Sequence, residues 1–66
     1  MRVTVNGAAR DLVEGSTVAT AVRAIGDPGP AVAVARNGEV VPRGEWERTV
    51  LVDGDRLEIL APTAGG

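Results

Sequence analysis

The start of the chain has the apolar and polar pattern of a strand pair. Residues 1–5 alternate between apolar and polar side chains, which is the period of a strand with one buried face. The Asn6-Gly7 pair that follows favours a type I′ turn, because both central residues of that turn need positive φ. Residues 8–13 are therefore predicted to return antiparallel. Arg10 would share the inward face with Leu12, so we expect an edge strand with the Arg10 stem lying along apolar surface.

A short helix is predicted for residues 17–25. Ser16 or Thr17 can cap it by accepting a hydrogen bond from an amide of the first turn. Gly26 suits the C-terminal end, and the Asp-Pro-Gly-Pro segment 27–30 prevents continuation of the helix. The spacing i, i+3, i+4 and i+7 places four apolar residues in one stripe: Val18, Ala21, Val22 and Ile25.

The middle of the chain is predicted to form a second strand pair. Residues 31–35 are a short continuous apolar run, which predicts a strand buried on both faces with Val32 and Val34 under the helix. Asn37-Gly38 is a second turn signal, and residues 39–41 are predicted to form the short strand after it.

The segment after this pair contains the only aromatic residue of the chain. Residues 44–48 resemble one helical turn, and Trp46 within it is predicted to cover one end of the core. A ligand-stacking role for the indole is the alternative. Residues 49–52 are predicted to be a strand or an extended segment.

The last strand is predicted for residues 56–60, after a tight turn at residues 53–55 whose acids are expected to be solvated. Leu57 and Ile59 would share the inward face, with Leu60 pointing away from it.

The order of these elements predicts an α+β protein with the β-grasp, or ubiquitin-like, roll. One helix would pack across a mixed sheet of four or five strands, with the last strand beside the first in the centre. We expect a domain over residues 1–61 and a flexible tail over residues 62–66 that is mobile in the free protein. The predicted core is Val5, Val18, Val22, Ile25, Val32, Val34 and Ile59.

Composition excludes several kinds of site. The 66 residues include no cysteine and no histidine, so disulfides, zinc–thiolate sites and a histidine general base are excluded. Ser16 is the only serine, and without a histidine to act as its base a serine triad is excluded. The net charge of −2, without a basic and aromatic patch, argues against nucleic-acid binding. No long apolar run is present, so we expect a cytoplasmic protein that does not bind membranes.

The end of the sequence differs from the rest. Residues 61–66 contain only small side chains and one proline, and the last two are Gly65-Gly66. Glycine lacks a Cβ, so such an end is narrow and pliable and suits insertion of a terminal carboxylate into another protein's active site. An ordinary frayed chain end is the alternative.

Several segments together resemble the thiamin-pathway sulfur carriers of the ThiS family, over nearly the whole chain. The most specific are Val41-Pro42-Arg43-x-x-Trp46 after Asn37-Gly38, and the terminal Ala64-Gly65-Gly66. Asp53-Gly54-Asp55 before the last strand also fits, although many β-grasp domains have it. The Pro28-Gly29-Pro30 loop and the second strand depart from the family pattern.

The resemblance implies a carrier rather than an enzyme, with no catalytic residue of its own. In this family an adenylating, ThiF-type enzyme activates the carboxylate of Gly66 with ATP and magnesium. A persulfide sulfur then displaces AMP to leave a thiocarboxylate, and a ThiG-type thiazole synthase uses that sulfur for the thiazole of thiamin. Gly65 and Ala64 would thread the tail into the partner. The domain itself would bind no cofactor and no metal.

The surface that such partners would grip is expected beside the last strand, with Leu60, Val41 and Arg43 as candidate contacts. Three other functions fit the same features. These are the small subunit of a molybdopterin synthase, a ubiquitin-like modifier that joins Gly66 to lysines of target proteins, and a β-grasp interaction module with an incidental tail.

Overall fold

The computed structural model describes residues 1–26 and 29–61, which form one five-stranded mixed sheet and one helix. The strands lie in the order β2-β1-β5-β3-β4, with β1 and β5 parallel and the other neighbours antiparallel. This is the predicted β-grasp roll, with the last strand in the centre beside the first. The elements are β1 Arg2–Val5, β2 Ala8–Asp11, α1 Val18–Ile25, β3 Ala33–Arg36, β4 Glu39–Val41, a 3-10 turn Arg43–Glu45 and β5 Arg56–Leu60.

Two Asn-Gly turns join the antiparallel pairs, as predicted. Asn6 and Gly7 have φ values of 51° and 84°, and Asn37 and Gly38 have φ values of 50° and 86°. Positive φ at both central residues matches the right-handed twist of the flanking strands, which is why this dipeptide selects a two-residue hairpin.

The helix ends at the predicted residue, Ile25, and begins at Val18, one residue after the predicted start. Thr17 is the N-cap, and its side chain accepts a hydrogen bond from the amide of Thr20 at 3.3 Å, while the Thr17 amide donates to the Thr20 hydroxyl at 3.2 Å. The hydroxyl of Ser16 instead donates to the carbonyl of Val13 at 2.7 Å. The prediction that Ile25 belongs to the core is wrong. Only the part of the helix that crosses the sheet is buried, and this last helical residue is 48% exposed.

The core lies between the helix and one face of the sheet. Of the predicted members, Val5, Val18, Val22, Val32 and Val34 are buried. Ile59 is partly buried and packs against the cluster from β5. Ala21 of the predicted apolar stripe and Leu57 of the predicted inward face are also buried. The core contains these further residues, which were not predicted to belong to it: Val3, Ala19, Val41 and Leu51.

The prediction that residues 31–35 are buried on both faces is wrong. Val32 and Val34 face the core, whereas Ala31 and Ala33 are exposed. The helix covers one face of the sheet, and the described strand residues that point to the opposite face are exposed or half-buried. The strand therefore has one buried and one open face, and its small alanines occupy the open one.

Residues 49–52 do not form a strand but an extended loop against the start of the helix. The amide of Val18 donates to the carbonyl of Thr49 at 3.0 Å, and the amide of Leu51 donates to the carbonyl of Ser16 at 2.9 Å. This loop brings the buried side chain of Leu51 into the core.

Trp46 covers the core as predicted. Its indole NH donates to the carbonyl of Val41 at 2.9 Å, and its own carbonyl accepts from the amide of Ala19 at 3.1 Å. The side chain is buried, and the hydrogen bond to Val41 satisfies its polar NH group within the fold.

The prediction that the acids of residues 53–55 are solvated is wrong for Asp55, which is 4% exposed. Its carboxylate accepts hydrogen bonds from the amide of Val52 at 2.8 Å, the carboxamide of Asn37 at 2.9 Å and the guanidinium of Arg36 at 2.9 Å. Burial opposes ionisation, but these hydrogen bonds outweigh it and hold the pKa of Asp55 below its ordinary value.

Candidate functional site

The candidate reacting group follows the central strand of the sheet. Ala64, Gly65 and Gly66 lie outside the described residues, so the mobility predicted for residues 62–66 and the roles of these three residues stay predictions. The described chain ends at Ala61, directly after β5. The structure therefore defines the point from which the tail leaves the domain.

The end of β5 is hydrogen-bonded on both sides. On one side β3 pairs with it up to the partners Ala33 and Leu60. On the other side the Asn6 carboxamide accepts from the amide of Ile59 at 2.7 Å and donates to the carbonyl of Ile59 at 3.1 Å. The last residues before the tail are thus part of the sheet.

An apolar strip on the open face of the sheet lies next to this point. Leu60 is 65% exposed and pairs with the exposed Ala33. Ala35, two residues further along β3, pairs with the exposed Val40 of β4. Directly paired residues point to the same face, as do residues two apart in a strand. We call these four residues, Ala33, Ala35, Val40 and Leu60, the outer apolar patch.

The prediction that Val41 lies on an exposed surface beside the last strand is wrong. It is 9% exposed and faces the core, opposite to Val40. Two adjacent valines in one strand must face opposite sides, and the sequence did not indicate which of them is inward. The exposed member, Val40, was missed, as were the alanines of β3. These residues were missed because the sequence did not indicate that one face of β3 is exposed to solvent.

Arg43 is at the surface, but its guanidinium already has partners. The guanidinium carbon lies 4.5 Å from the centroid of the Trp46 ring, and the group donates a hydrogen bond to the carbonyl of Gly29. The residue thus joins the 3-10 turn to the loop after the helix. It also lines a cleft of about 220 Å³, at which Arg23 and Glu47 form an ion pair at 2.6 Å.

The described residues offer no metal centre and no helix that could span a membrane. Residues 1–26 and 29–61 contain no group of three or more metal-ligating side chains. Their one helix is too short to cross a lipid bilayer. Asp55, the buried acid, lies before the start of β5, at the opposite end of that strand from the tail.

Comparisons with known proteins agree with this geometry. The model of the ThiS family matches residues 3–66. The crystal structure of a thiamine biosynthesis protein (ThiS) from Geobacter metallireducens superimposes with a TM-score of 0.81, at 33% identity and over the full length of both chains.

Two curated relatives are similar in sequence. The sulfur carrier protein ThiS of Escherichia coli is 29% identical over 66 residues, which cover both chains completely. A thiazole synthase of Paramagnetospirillum magneticum is 36% identical over 66 residues. The chain spans only 20% of the length of that synthase.

Proposed function

The chain belongs to the ThiS family, and from this premise we propose that it carries sulfur for thiamin biosynthesis on the carboxylate of Gly66. The observation that carries the proposal is the family match, which extends through the diglycine to residue 66. The likeness to a full-length sulfur carrier and to a ThiS structure supports it. The position of the tail after the central strand is the arrangement that such a carrier needs.

The proposed chemistry begins with the weak electrophilicity of a carboxylate. A carboxylate oxygen of Gly66 attacks the α-phosphorus of ATP, pyrophosphate leaves, and an acyl adenylate forms. The terminal sulfur of a persulfide attacks the acyl carbon and AMP leaves. A thiol then cleaves the sulfur–sulfur bond, which supplies two electrons and leaves the thiocarboxylate. Because the activation consumes ATP, we place the reaction in the cytoplasm.

The partners follow from this sequence of steps. An adenylating, ThiF-type enzyme would bind ATP and magnesium, a persulfide-bearing protein would supply the sulfur, and a ThiG-type thiazole synthase would take it up. The similarity to one fifth of a thiazole synthase supports the ThiG-type partner. Joining a carrier and its acceptor enzyme in one chain would raise the effective concentration of one at the other. The carrier itself contributes no catalytic group.

The domain's part in the reaction is presentation of the tail. A tail bound alone would lose all its ordering entropy on entering an active site, so partners are expected to hold the domain as well. The outer apolar patch is the surface that fits this role, because it is apolar, three of its four residues are exposed, and its Leu60 is adjacent to the start of the tail. We propose Leu60 as its principal contact.

The test is the intact mass of the full chain after incubation with the adenylating enzyme of the same genome, ATP, magnesium and a persulfide donor. We expect the mass change of one oxygen-to-sulfur replacement, located at Gly66 by fragmentation. The matched control is the chain without Gly66, whose carboxylate falls one residue short, by roughly 3.5 Å. Equal thiolation of both chains, or none of the full chain, contradicts the proposal.

The alternative functions predict other products. A ubiquitin-like modifier would leave isopeptide-linked Gly-Gly adducts on lysines of other proteins. A molybdopterin-synthase subunit would give up its sulfur to a pterin rather than to a thiazole synthase. A passive interaction module would be unchanged by loss of Gly66.

A further inference from the structure

The parallel pairing of β1 with β5 stops before β5 ends. The amide of Thr4 donates to the carbonyl of Asp55 at 3.0 Å, and the amide of Asn6 donates to the carbonyl of Leu57 at 2.9 Å. A parallel ladder continued by one step would use the carbonyl of residue 6 and the amide of residue 8 for Ile59. The turn at residues 6–7 prevents this, since it carries Ala8 into β2 on the other side of β1.

The side chain of Asn6 replaces the missing step. Its Oδ1 accepts from the amide of Ile59 at 2.7 Å, and its Nδ2 donates to the carbonyl of Ile59 at 3.1 Å. A carboxamide has the same donor and acceptor groups as a peptide unit, so it satisfies both backbone groups that a strand residue would have satisfied. The pairing on this side of β5 therefore extends to Ile59, two residues before Ala61.

We propose that Asn6 is a positioning residue for the tail. Its carboxamide holds the last residues of β5 in the sheet and so sets the point from which the reacting carboxylate is presented. The proposal rests on the proposed sulfur-carrier function. Without the carboxamide, one side of Ile59 has no partner in the sheet, and Ile59 and Leu60 would fray toward solvent. The carrier would then have to order these residues as well as the tail when it enters the adenylating enzyme.

This role predicts a change in KM for the carrier rather than in kcat. Ordering one additional backbone residue weakens binding by roughly tenfold. Once the tail is bound, the carboxylate and ATP are in the same arrangement in variant and wild type, so turnover at saturation is unchanged. A loss of global stability alone would not raise KM at a temperature at which both proteins are folded.

The variant Asn6→Gly separates the carboxamide from the turn, because glycine retains the positive φ of 51° and lacks the side chain. The matched control is Asn37→Gly in the second hairpin. Asn37 has a φ of 50°, and its Oδ1 accepts from the amide of Arg56 at 2.9 Å, at the start of β5 and far from the tail. Both variants thus remove an asparagine that bonds β5 from an Asn-Gly turn.

Two measurements decide the proposal. Amide hydrogen exchange of the free carrier should show the Ile59 amide exchanging about tenfold faster in Asn6→Gly, relative to core amides, and unchanged in Asn37→Gly. ATP–pyrophosphate exchange with the adenylating enzyme should show KM for the carrier raised about tenfold by Asn6→Gly alone, with kcat unchanged. An equal rise in KM from Asn37→Gly, or an unchanged Ile59 amide in Asn6→Gly, overturns the proposal.

Asn6→Asp decides the matter if the glycine variant does not fold. Aspartate still accepts from the Ile59 amide but cannot donate to the Ile59 carbonyl, so KM should rise by a smaller factor with Ile59 still protected. An unchanged KM would overturn the proposal. If the wild-type carrier is not adenylated at all, the proposed function fails, and the exchange of the Ile59 amide alone decides whether Asn6 holds the end of β5.

Discussion

Asp55 and Asn37 are joined by a hydrogen bond of 2.9 Å from the Asn37 carboxamide to the Asp55 carboxylate. The oxygen of the same carboxamide accepts from the amide of Arg56 at 2.9 Å. Arg36, the residue before Asn37, donates to the other carboxylate oxygen at 3.0 Å. The turn between β3 and β4 is thereby fixed to the start of β5, the strand that leads to the tail.

Asp55→Asn should destabilise the fold. The amide group cannot accept all the hydrogen bonds that the buried carboxylate accepts, so the donor of Val52, Asn37 or Arg36 loses its partner. We expect a loss of about 3 kcal/mol in the free energy of unfolding, measured by urea denaturation at neutral pH. The control is Glu58→Gln, an exposed acid of β5, for which we expect a change within about 0.5 kcal/mol. Similar losses in both variants would contradict a special role of Asp55.

The same carboxylate should make stability depend on pH in the acid range. Burial disfavours the ionised form, but the hydrogen bonds from Val52, Asn37 and Arg36 outweigh it, so the folded-state pKa of Asp55 lies below its ordinary 3.8. Above that ordinary value both states are ionised and the full stabilisation is present. As the pH falls below it, the unfolded chain binds the proton first, and stability is lost down through the folded-state pKa.

The measurement is the free energy of unfolding between about pH 6 and pH 2, compared between wild type and Asp55→Asn. We expect the wild-type advantage to shrink as the pH falls below about 4. The pKa of Asp11 is also lowered, by its hydrogen bond and charge interaction with Arg2, but Asp11 is present in both proteins. The difference between the two curves therefore reports Asp55. A constant difference across the range would show that ionisation of Asp55 does not contribute.

The sequence predicted what local rules determine. The turns at Asn6 and Asn37 follow from the φ requirement of a two-residue hairpin, and the cap at Thr17 follows from the chemistry of helix N-termini. The central place of β5 followed from the need of β1 for a second partner. These features depend on neighbouring residues or on the order of the elements, and both are visible in a sequence.

The features that were missed depend on residues far apart in the chain. The side-chain partners of Asp55, Arg36 and Asn37, come from positions 19 and 18 residues earlier, so the residues next to Asp55 did not indicate its burial. Leu51 contributes its side chain to the core from a loop rather than from a strand. Its amide donates to the carbonyl of Ser16, in the segment before the helix. The orientation of Val40 and Val41 depended on which face of β4 the helix covers. The diglycine tail was recognised from its composition, and its role stays a prediction.

Leu60→Ser tests the outer apolar patch as the contact for partners. The side chain is mostly exposed, so we expect the free energy of unfolding to change by no more than about 0.5 kcal/mol. Loss of the apolar contact should weaken binding of the adenylating enzyme about tenfold, measured as the dissociation constant by calorimetry.

The matched control for Leu60 is Val13→Ser, which removes an exposed apolar side chain, 79% accessible, outside the outer apolar patch. Val13 follows β2, at the end of the sheet opposite to the start of the tail. We expect its dissociation constant to equal that of the wild type. Equal affinity of all three proteins would remove Leu60 from the proposed contact surface.

Gly65→Ala tests whether the tail must be narrow at the residue before the reacting carboxyl. An adenylating site has to exclude water around ATP and the carboxylate, because water hydrolyses an activated acyl group. In such a confined channel a Cβ would collide with the wall, so we expect acyl-adenylate formation to fall by at least about tenfold, equivalent to about 1.4 kcal/mol of barrier.

The rate of ATP–pyrophosphate exchange measures the effect of Gly65→Ala on acyl-adenylate formation. The control is Thr63→Ala, which removes atoms from the same tail and should stay within about twofold of the wild type. The melting temperature should be the same for all three proteins, since residues 62–66 contain no large apolar side chain to contribute to a core. If Gly65→Ala were adenylated at the wild-type rate, the proposal of a narrow channel for the tail would be wrong. If Thr63→Ala also failed to be adenylated, the requirement would lie in the whole tail rather than at the glycine.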